Sequence, residues 1–500
     1  MRTSSYVIYV DLPDKPDQKL LVHGYTGAFD LVSNPVAAYV RAMETRPAAK
    51  PLYGSWKSDP PRNGAAANPP SDDTITTLRR RGYLTDLIHS DEERLVTKIA
   101  ATLHDRPERR KPQYVVMPTY NCNLRCAYCF QDHMRTDPNY RHLLRTMSPA
   151  LIDRMFLAMP HLEKLQGVPG EQAFPRTIGF FGGEPLLASN RPAVTRIIAK
   201  AQEAGPTSFW AVTNGTEIDA YVDVLSPDCI GSLQITLDGP PPEHDKRRIY
   251  ADGSGSFSRI ADNVTMVLDR GVSVNVRLNL DRVNILQLPE LAEEIERRGW
   301  WEYEKFGVYT APVRPENDNV DKRTTFNSGQ LSRKLTELSI AHPVTARVAR
   351  PTDEIKSQAR RVFDATRPGP LAMRESFCGA HTGMFVLDAF GNIYACWERT
   401  GDPKVRLGAI NIDGSITLNR RIHDMWRSRT VATNPVCNRC RYAFHCGGGC
   451  AVLAAAKTGQ YHMNYCDAYS FRFRTAVAEA YAEYAAGVLP ASTFESVCDQ

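Results

Sequence analysis

The middle of the chain alternates between short apolar runs and amphipathic segments, beginning at Gln113. The apolar runs predict six strands, at Tyr114–Pro118, Thr177–Phe181, Phe209–Val212, Ser232–Leu237, Ser273–Leu280 and Glu304–Tyr309. Helical periodicity fills the gaps between them, for example at Ser148–Leu162, Ala193–Glu203, Ser256–Arg270 and Pro289–Arg298. Repeated strand–helix units predict a parallel sheet with right-handed crossovers. We therefore expect an α/β fold with a partial (β/α)6 TIM-like barrel or an open sheet, and catalytic groups at the carboxyl ends of its strands.

The N-terminal segment has a different pattern, with strands first and helices afterwards. The predicted strands are Tyr6–Val10, Leu20–His23 and Ala28–Val32. The first predicted helix has Asn34 as N-cap and Pro35 at its first position, and runs through Met43; a second spans Thr74–Arg81 and ends at Gly82. A third spans Asp91–His104 behind a capping box of Ser90 and Glu93. Residues 46–70 predict a flexible loop, and the whole segment predicts a small winged-helix-like module.

Four segments follow from these patterns. Residues 1–108 form the winged-helix-like domain, residues 109–325 the barrel, and residues 326–372 a helical bridge. Residues 373–500 are rich in cysteine and loops as far as residue 466, and residues 468–486 predict a closing helix. A cysteine-rich segment with little core-forming periodicity needs metal to stay folded.

Composition and charge narrow the functional classes. The chain has 500 residues, 42% of them hydrophobic and 23% charged, which is typical of a globular protein. A net charge of +5 without a Lys/Arg stripe does not indicate nucleic acid as a partner. No apolar run predicts a membrane span and the N-terminus lacks a signal peptide, so we expect a cytoplasmic protein. In that compartment, the 12 clustered cysteines are better explained as metal ligands than as disulfides.

The first cysteine set directly follows the first barrel strand. It consists of Cys122, Cys126 and Cys129 in the sequence CNLRCAYC. Thiolates suit soft metals and iron–sulfur clusters, and three of them leave one iron of a four-iron cluster open to a ligand. The alternative is a structural zinc site, which requires four ligands and would need His133 as the fourth.

This C-x3-C-x2-C spacing, with Tyr128 before the last cysteine, resembles the radical S-adenosylmethionine (SAM) superfamily. Further motifs follow the predicted strands in the order expected of that family: Gly182-Gly183-Glu184-Pro185, Thr213-Asn214-Gly215, TLDGP at 236–240 followed by His244, Asp245 and Arg248, and Arg277. The resemblance covers roughly residues 112–310. It implies that the open iron is chelated by the amine and carboxylate of S-adenosylmethionine, and that a 5′-deoxyadenosyl radical abstracts a substrate hydrogen.

The same resemblance implies roles for individual residues. Gly182, Gly183 and Glu184 of the motif that ends at Pro185 would contact the methionine amine, and Tyr128 would lie near the adenine. Candidates for ribose and carboxylate contacts are Asn214, Thr236 and either Arg248 or Arg277. For each polar residue taken singly, a strand-end cap or a structural hydrogen bond is the alternative.

A second cysteine set lies near the C-terminus. It runs Cys378-x12-Gly391-x4-Cys396, then Cys437-x2-Cys440-x5-Cys446-x3-Cys450, then Cys466. This series resembles the SPASM extension of peptide- and protein-modifying radical SAM enzymes; the alternative for its second part is a zinc ribbon. The resemblance implies two auxiliary 4Fe–4S clusters, one on Cys378, Cys396 and Cys450 and one on Cys437, Cys440, Cys446 and Cys466. With the first set, this makes three clusters.

Two cysteines are left over, and one cluster lacks a ligand. The first auxiliary cluster has no obvious fourth ligand, so its site is open to substrate or closed by another residue, with Cys498 a remote option. Cys229 and Cys498 are otherwise interpreted as ordinary free thiols.

Two further features concern the substrate. Sulfatase maturases carry an Asp after the cysteine that matches Cys396; here that position is Trp397, with Glu398 adjacent. The N-terminal module, ending in Leu78-x3-Gly82-Tyr83-Leu84, resembles the leader-recognition domains of ribosomal peptide maturases, which add the leader as an extra strand. The alternative is a packing domain without a ligand.

The sequence thus predicts a radical SAM oxidoreductase that matures a ribosomally made precursor peptide by installing a thioether or C–C crosslink. An open auxiliary iron that binds a substrate thiolate would favour the thioether. The expected partners are the precursor peptide with its leader and an electron donor such as flavodoxin or ferredoxin, without nucleic acid or membrane. The alternatives are a sulfatase-maturase-like enzyme acting on a folded protein and a zinc-binding peptide adaptor.

Overall fold

The computed structural model describes residues 1–45, 68–168, 175–315, 320–350, 355–364 and 369–488. Most of the predicted loop at 46–70, and also Cys498, lie outside the described residues. The chain forms two compact units. The first unit comprises Met1–Arg109, Asp353–His381 and Ser428–Gln500, and the second comprises Arg110–Thr352 and Thr382–Arg427.

The first unit begins with two small antiparallel sheets. Their strands are β1 (Arg2–Thr3), β2 (Val7–Asp11), β3 (Gln18–His23), β4 (Phe29–Ser33) and β5 (Leu84–Thr85). β3 lies between β2 and β4, while β1 pairs with β5. The helices of this segment are Asn34–Ala42, Asp72–Arg80 and His89–His104. Three strands and three helices in this order match the elements predicted for the winged-helix-like module.

Two helix starts differ from the prediction. The first helix is N-capped at Ser33 instead of Asn34, without a side-chain cap. The third begins at His89 behind Ile88, so the capping box of Ser90 and Glu93 is wrong. The neighbouring Glu92 is buried and accepts hydrogen bonds from Arg2 and Ser4, and we attribute the earlier start to these tertiary contacts.

Both faces of the β2–β4 sheet are buried in the first unit. One face packs Val7, Leu21 and Val32 against the helices that follow, together with Leu78, Tyr83 and Leu84. The other face packs against the helices Ile355–Phe363 and Tyr469–Ala485. The N-terminal module, part of the predicted bridge and the predicted closing helix therefore share one core. The remaining helices of this unit are Pro107–Arg110 (which crosses the boundary), Ala443–Cys446 and Ala451–Thr458.

The second unit is built on a sheet that has ten strands in the described part of the chain. In chain order they are β6 (Gln113–Met117), β7 (Arg176–Phe180), β8 (Thr207–Thr213), β9 (Ile230–Leu237), β10 (Ser273–Leu280), β11 (Phe306–Pro312), β12 (Met384–Asp388), β13 (Asn392–Tyr394), β14 (Gly408–Ile410) and β15 (Ile416–Leu418). Strands β6 to β11 are neighbours in sequence order, and every pairing among them is parallel. This confirms the six predicted strands and the parallel sheet of a partial barrel.

The barrel sheet continues beyond the predicted strands. β12 pairs with β6 in parallel, and β13, β14 and β15 extend the sheet in antiparallel fashion. The prediction that residues 373–466 lack core-forming periodicity is wrong here, since every residue of β12 is buried. A continuous apolar run is typical of such a parallel strand.

Helices separate the parallel strands, as predicted, except that β8 and β9 are joined through a short 3-10 helix, Ile218–Tyr221. In chain order the helices of the second unit are His133–Thr136, Pro149–Leu165, Arg191–Ala204, Pro241–Arg247, Phe257–Asp269, Leu288–Arg297, Ser328–Ala341 and Arg420–Arg427. Across the described ranges, no helix combines the length and apolarity that a membrane span requires.

Candidate active site and cysteine clusters

The first cysteine set lies in a loop after β6, at the carboxyl edge of the parallel sheet. The loop is held by backbone hydrogen bonds: Arg125 N donates to Ile249 O at 2.8 Å, and Cys129 N donates to Cys126 O at 3.0 Å. Burial raises the pKa of the Cys126 thiol to about 12; Arg248 opposes this rise, and nearby negative charges add to it. Cys122 and Cys129 are among those charges, so the structure brings the three predicted cysteines together.

The glycines after β7 lie against this cysteine loop. Gly182 and Gly183 have φ of 89° and 46°, values that L side chains rarely adopt. A Cβ on Gly183 would overlap the carbonyl oxygen of Asn121, and one on Gly182 would overlap the side chain of Met117. The motif therefore brings backbone to within contact distance of the loop, which no larger residue would allow.

Glu184 joins three elements of the barrel edge. Its N–H donates to Asn121 O at 2.7 Å, and its carboxylate accepts from Thr213 Oγ1 at 2.6 Å, from Asn214 N at 2.5 Å and from Leu186 N at 2.9 Å. Burial raises the pKa of Glu184 to about 7 despite these donors. A buried carboxyl near neutrality suits a cationic or amine ligand.

Tyr128 occupies the centre of a polar network at the ends of β9 and β10. Its hydroxyl donates to Asp238 and accepts from Arg248 Nη1 at 2.7 Å and from Asn279 Nδ2 at 3.4 Å. Burial alone would lower the pKa of Arg248, but Cys126, Tyr128 and Asp238 raise it above its usual value. The network thus places a buried guanidinium beside a cysteine of the first set.

The other predicted cofactor residues lie at the same edge of the sheet. Asn214 Nδ2 donates to Asn123 Oδ1 at 2.7 Å, and the Cys122 sulfur lies 3.7 Å away. Thr236 and Arg277 are register partners on β9 and β10. Arg277 Nε donates to Asn279 Oδ1 at 2.8 Å. Pro185 follows Glu184 within the motif.

Two residues of this edge were not found by sequence reasoning. Gln131 Oε1 accepts from Gly183 N at 2.8 Å, and Arg135 Nη2 lies 3.3 Å from the Cys129 sulfur. Buried donors on both side chains, Gln131 Nε2 and Arg135 Nε and Nη1, have no hydrogen-bond partner in the structure. Gln131 lies just before the short helix His133–Thr136 and Arg135 lies within it, and no sequence motif marks either residue.

Trp397 follows Cys396 in the second unit. Its ring lies 5.4 Å from the ring of Phe181, the residue before the glycine motif, and Phe181 stacks on Phe130 at 6.5 Å. Glu398 forms an ion pair with Arg314 at 2.9 Å. The position at which sulfatase maturases carry an Asp, which acts as a base there, thus holds the indole of Trp397. The carboxylate of the adjacent Glu398 is paired with Arg314.

The later cysteines are divided between the units. Cys396 belongs to the second unit, whereas Cys378 and Cys450 belong to the first, so this ligand set stays a prediction. Within the first unit, burial raises the pKa of Cys437 well above its usual value, and Cys440, Cys446 and Cys466 raise it further. These four predicted ligands are therefore neighbours.

The chemistry of the donor sets fits a soft metal or an iron–sulfur cluster, because the predicted ligands are all thiols. Across the described ranges, no three His, Cys, Asp or Glu side chains are placed to hold one ion. Burial also raises the pKa of Cys440 to about 11 and that of Cys446 to about 12, so these thiols need a metal's positive charge to ionise.

Comparison with known proteins agrees with this geometry. The profile of the Radical SAM superfamily matches residues 116–295. The mycofactocin maturase MftC of Mycobacterium ulcerans (strain Agy99) is 26% identical over 345 residues, covering 66% of this chain and 80% of that protein. A cysteine-type anaerobic sulfatase-maturating enzyme of Clostridium novyi (strain NT) is 27% identical over 163 residues, covering 31% of this chain and 40% of that protein.

A solved structure of similar fold is native anSMEcpe with bound AdoMet and a Cp18Cys peptide. It matches with a TM-score of 0.51 at 15% identity, over 76% of this chain and 100% of that one. The profile match covers β6 to the helix after β10, the segment that holds the first cysteine set and the glycine motif. Residues 116–295 therefore carry a radical SAM domain, and the relatives support an enzyme of the radical SAM, SPASM peptide-maturase type.

Proposed function

We propose that this enzyme installs an oxidative intramolecular crosslink, a thioether or a C–C bond, in a ribosomally made precursor peptide. The observation that carries the proposal is the assembly at the barrel edge: three clustered cysteines on a loop that starts beside a glycine turn, together with a buried carboxyl and a buried arginine. That assembly accompanies a second buried cysteine cluster in the first unit.

In this proposal, each group at the edge has a defined task. The cluster on Cys122, Cys126 and Cys129 and the S-adenosylmethionine bound to it supply the radical that abstracts a substrate hydrogen. The backbone of Gly182 and Gly183 and the carboxylate of Glu184 hold the methionine amine.

The remaining cofactor contacts are spread over neighbouring strand ends. Arg248 offers a buried cation to the carboxylate, with Arg277 as its alternative. Asn214, Thr236 and Tyr128 supply polar groups for the ribose and the adenine.

The crosslink requires a second oxidation after hydrogen abstraction. When the peptide radical bonds to a second group of the same peptide, one proton and one electron are released. The peptide thus loses two hydrogen atoms for each bond formed. The later cysteine sets would hold the two auxiliary clusters that accept this electron, one on Cys378, Cys396 and Cys450 and one on Cys437, Cys440, Cys446 and Cys466. Flavodoxin or ferredoxin would supply the initiating electron.

A peptide partner is supported by the small sheet of the first unit. Among the described strands, β2 and β4 each have β3 as their one neighbour in that sheet, and an extended leader could add to such an edge. Leu78, Tyr83 and Leu84 of the leader-domain pattern are buried in the core, so they shape the module instead of touching a ligand. The MftC relative is a maturase, and anSMEcpe was solved with a bound peptide, which agrees with a peptide substrate.

The second candidate is oxidation of one residue in a folded protein. The Clostridium novyi sulfatase-maturating relative favours it. Trp397 and the ion pair of Glu398 with Arg314 count against it, because the structure offers no free carboxylate at the position of the base.

The test is co-expression of this enzyme, without oxygen, with the peptide encoded by the short reading frame nearest its gene. We expect mass spectrometry to find a loss of two hydrogens per crosslink, and fragmentation to locate the bond. Cys126→Ala should abolish the mass change. An unchanged peptide in a reaction that still forms 5′-deoxyadenosine would refute this substrate and favour the folded-protein target.

A further inference from the structure

Arg429 lies in the interior of the cysteine-rich part of the first unit. It is 3% exposed, and its guanidinium donates to Tyr461 O at 2.7 Å, to Met463 O at 2.9 Å and to Gly448 O at 3.2 Å. Its Nη1 lies 3.3 Å from His381 Nε2, which must act as the acceptor because a guanidinium has only donors. The side chain is therefore held in one position.

These acceptors belong to loops that carry cysteines of both auxiliary sets. His381 N donates to Cys378 O, so the histidine caps the turn that begins at Cys378. Gly448 lies between Cys446 and Cys450, and Met463 precedes Cys466 by three residues. One arginine thus joins three cysteine-bearing segments.

The guanidinium also lies close to the sulfurs. The position of a Cβ on Gly448 would be 3.6 Å from Cys437 Sγ and 3.9 Å from both terminal nitrogens of Arg429. Burial lowers the pKa of Arg429, and four cysteines oppose that shift, Cys437 most strongly, then Cys378, Cys450 and Cys446. Members of both predicted auxiliary sets therefore surround one cation.

This cation has no carboxylate partner. Within the ranges that the structure describes, no Asp or Glu oxygen lies within 4.0 Å of the Arg429 guanidinium. A buried, unpaired cation is costly, and such charges are normally balanced by an anion. Deprotonated cysteines that hold an iron–sulfur cluster would supply the balancing negative charge, from both predicted auxiliary sets.

We propose that Arg429 is a shared positioning residue that raises the reduction potentials of both auxiliary clusters. Adding an electron makes a cluster more negative, and a fixed buried cation stabilises the more negative state. This inference rests on the proposed function, since it assumes the two auxiliary clusters. It adds that one residue makes both of them better acceptors for the electron that the crosslink releases.

The experiment uses the full chain with Cys122→Ala, Cys126→Ala and Cys129→Ala, reconstituted without oxygen so that the auxiliary clusters alone contribute. Iron and sulfide are measured first, and the midpoint potentials are then measured by redox titration with electron paramagnetic resonance. Arg429→Met removes the charge, and Arg429→Lys keeps the charge but not the forked hydrogen bonds. Arg427→Met is the control, because Arg427 is also buried but donates to Met384 O in the second unit.

We expect Arg429→Met to shift both midpoint potentials to more negative values at unchanged iron content. Arg429→Lys should stay near the unsubstituted protein, and Arg427→Met should leave both potentials unchanged. Unshifted potentials in a fully loaded Arg429→Met protein would overturn the inference, and so would a shift at one cluster alone. Equal shifts in the Lys and Met variants would also overturn it, because charge would then not be the cause.

Two further outcomes distinguish the electrostatic role of Arg429 from an effect on folding and from a failure of the proposed function. If Arg429→Met does not retain iron, Arg429→Gln replaces it, since its amide still donates to one carbonyl. If the Lys and Gln variants both lose iron, Arg429 only stabilises the fold of the cysteine-bearing loops, and the inference is wrong. If the unsubstituted chain binds zinc or only one cluster, the auxiliary clusters of the proposed function fail, and the inference fails with them.

Discussion

The two cysteine regions of this protein are built in different ways. In the second unit, Cys122–Cys129 follows a buried parallel strand; Arg125 N donates to Ile249 O, and the preceding Asn121 O accepts from Glu184 N. In the first unit, Cys437–Cys450 lies on short turns, where Gly447, Gly448 and Gly449 all have positive φ, of 72°, 85° and 75°. A sheet edge forms its site before any metal binds, whereas turns of this kind need cross-links. We therefore expect the first region to keep its fold without metal and the second to depend on metal for its fold.

Loss of a cysteine should separate the two regions most clearly. We expect Cys126→Ala to abolish 5′-deoxyadenosine formation but to leave the unfolding temperature within about 2 °C, because the sheet holds the loop. Cys446→Ala should lower the stability of the first unit by about 3 kcal/mol, or roughly 6–12 °C in unfolding temperature. Anaerobic calorimetry and product assay check both, and an equal thermal loss in the two variants would contradict the comparison.

The next largest effect should come from the close approach of the Gly183 backbone to Asn121, and we expect it in the binding of S-adenosylmethionine. Gly183→Ala adds a Cβ that overlaps Asn121 O at a strained φ, so we expect S-adenosylmethionine binding to weaken roughly 5- to 150-fold, from strain of about 1–3 kcal/mol. Gly27→Ala is the matched control, since its φ of 75° carries similar strain but a Cβ there has no neighbour within 4 Å. Calorimetric titration of the cofactor measures both, and equal losses would show that backbone strain alone is responsible.

The pH dependence of cofactor binding should report on Glu184. Its pKa in the folded protein is about 7, raised above 4.5, so burial favours the neutral form and the associated stability is lost as pH rises from about 4.5 through 7. A bound amine favours the carboxylate, so affinity should fall as pH falls. We expect a loss of about tenfold between pH 8 and pH 6 from this group.

Glu184→Gln is the control for that measurement. The variant should bind more weakly at pH 8 but show a flatter profile, because any titration of the cofactor itself remains. Identical pH profiles for the two proteins would mean that Glu184 does not ionise in this range.

The smallest effect should come from Tyr128. Tyr128→Phe removes a hydroxyl that joins Asp238 and Arg248, and a buried hydrogen bond of this kind contributes about 1–2 kcal/mol. We expect a several-fold weaker affinity for S-adenosylmethionine with intact iron content. A complete loss of iron would indicate that the network holds the cysteine loop instead of the cofactor.

Much of this protein is determined by local sequence. Apolar runs and helical periodicity predicted all six parallel strands of the barrel, because a buried parallel strand needs a continuous apolar segment. Two motifs can also be recognised without knowing the fold, because their residues lie close together in the sequence. They are Cys122, Cys126 and Cys129, and the glycines of the following motif.

Tertiary structure decided what depends on distant partners. The start of the helix at His89, the membership of β12 in the barrel sheet and the shared core of β2–β4 with the helix Tyr469–Ala485 all arise from residues far apart in the chain. Arg429 is an ordinary arginine in the sequence, and only burial among three cysteine-bearing loops gives it the electrostatic role that we propose. Periodicity reports which face of an element is buried, but the partner that buries it is chosen by packing of the whole chain.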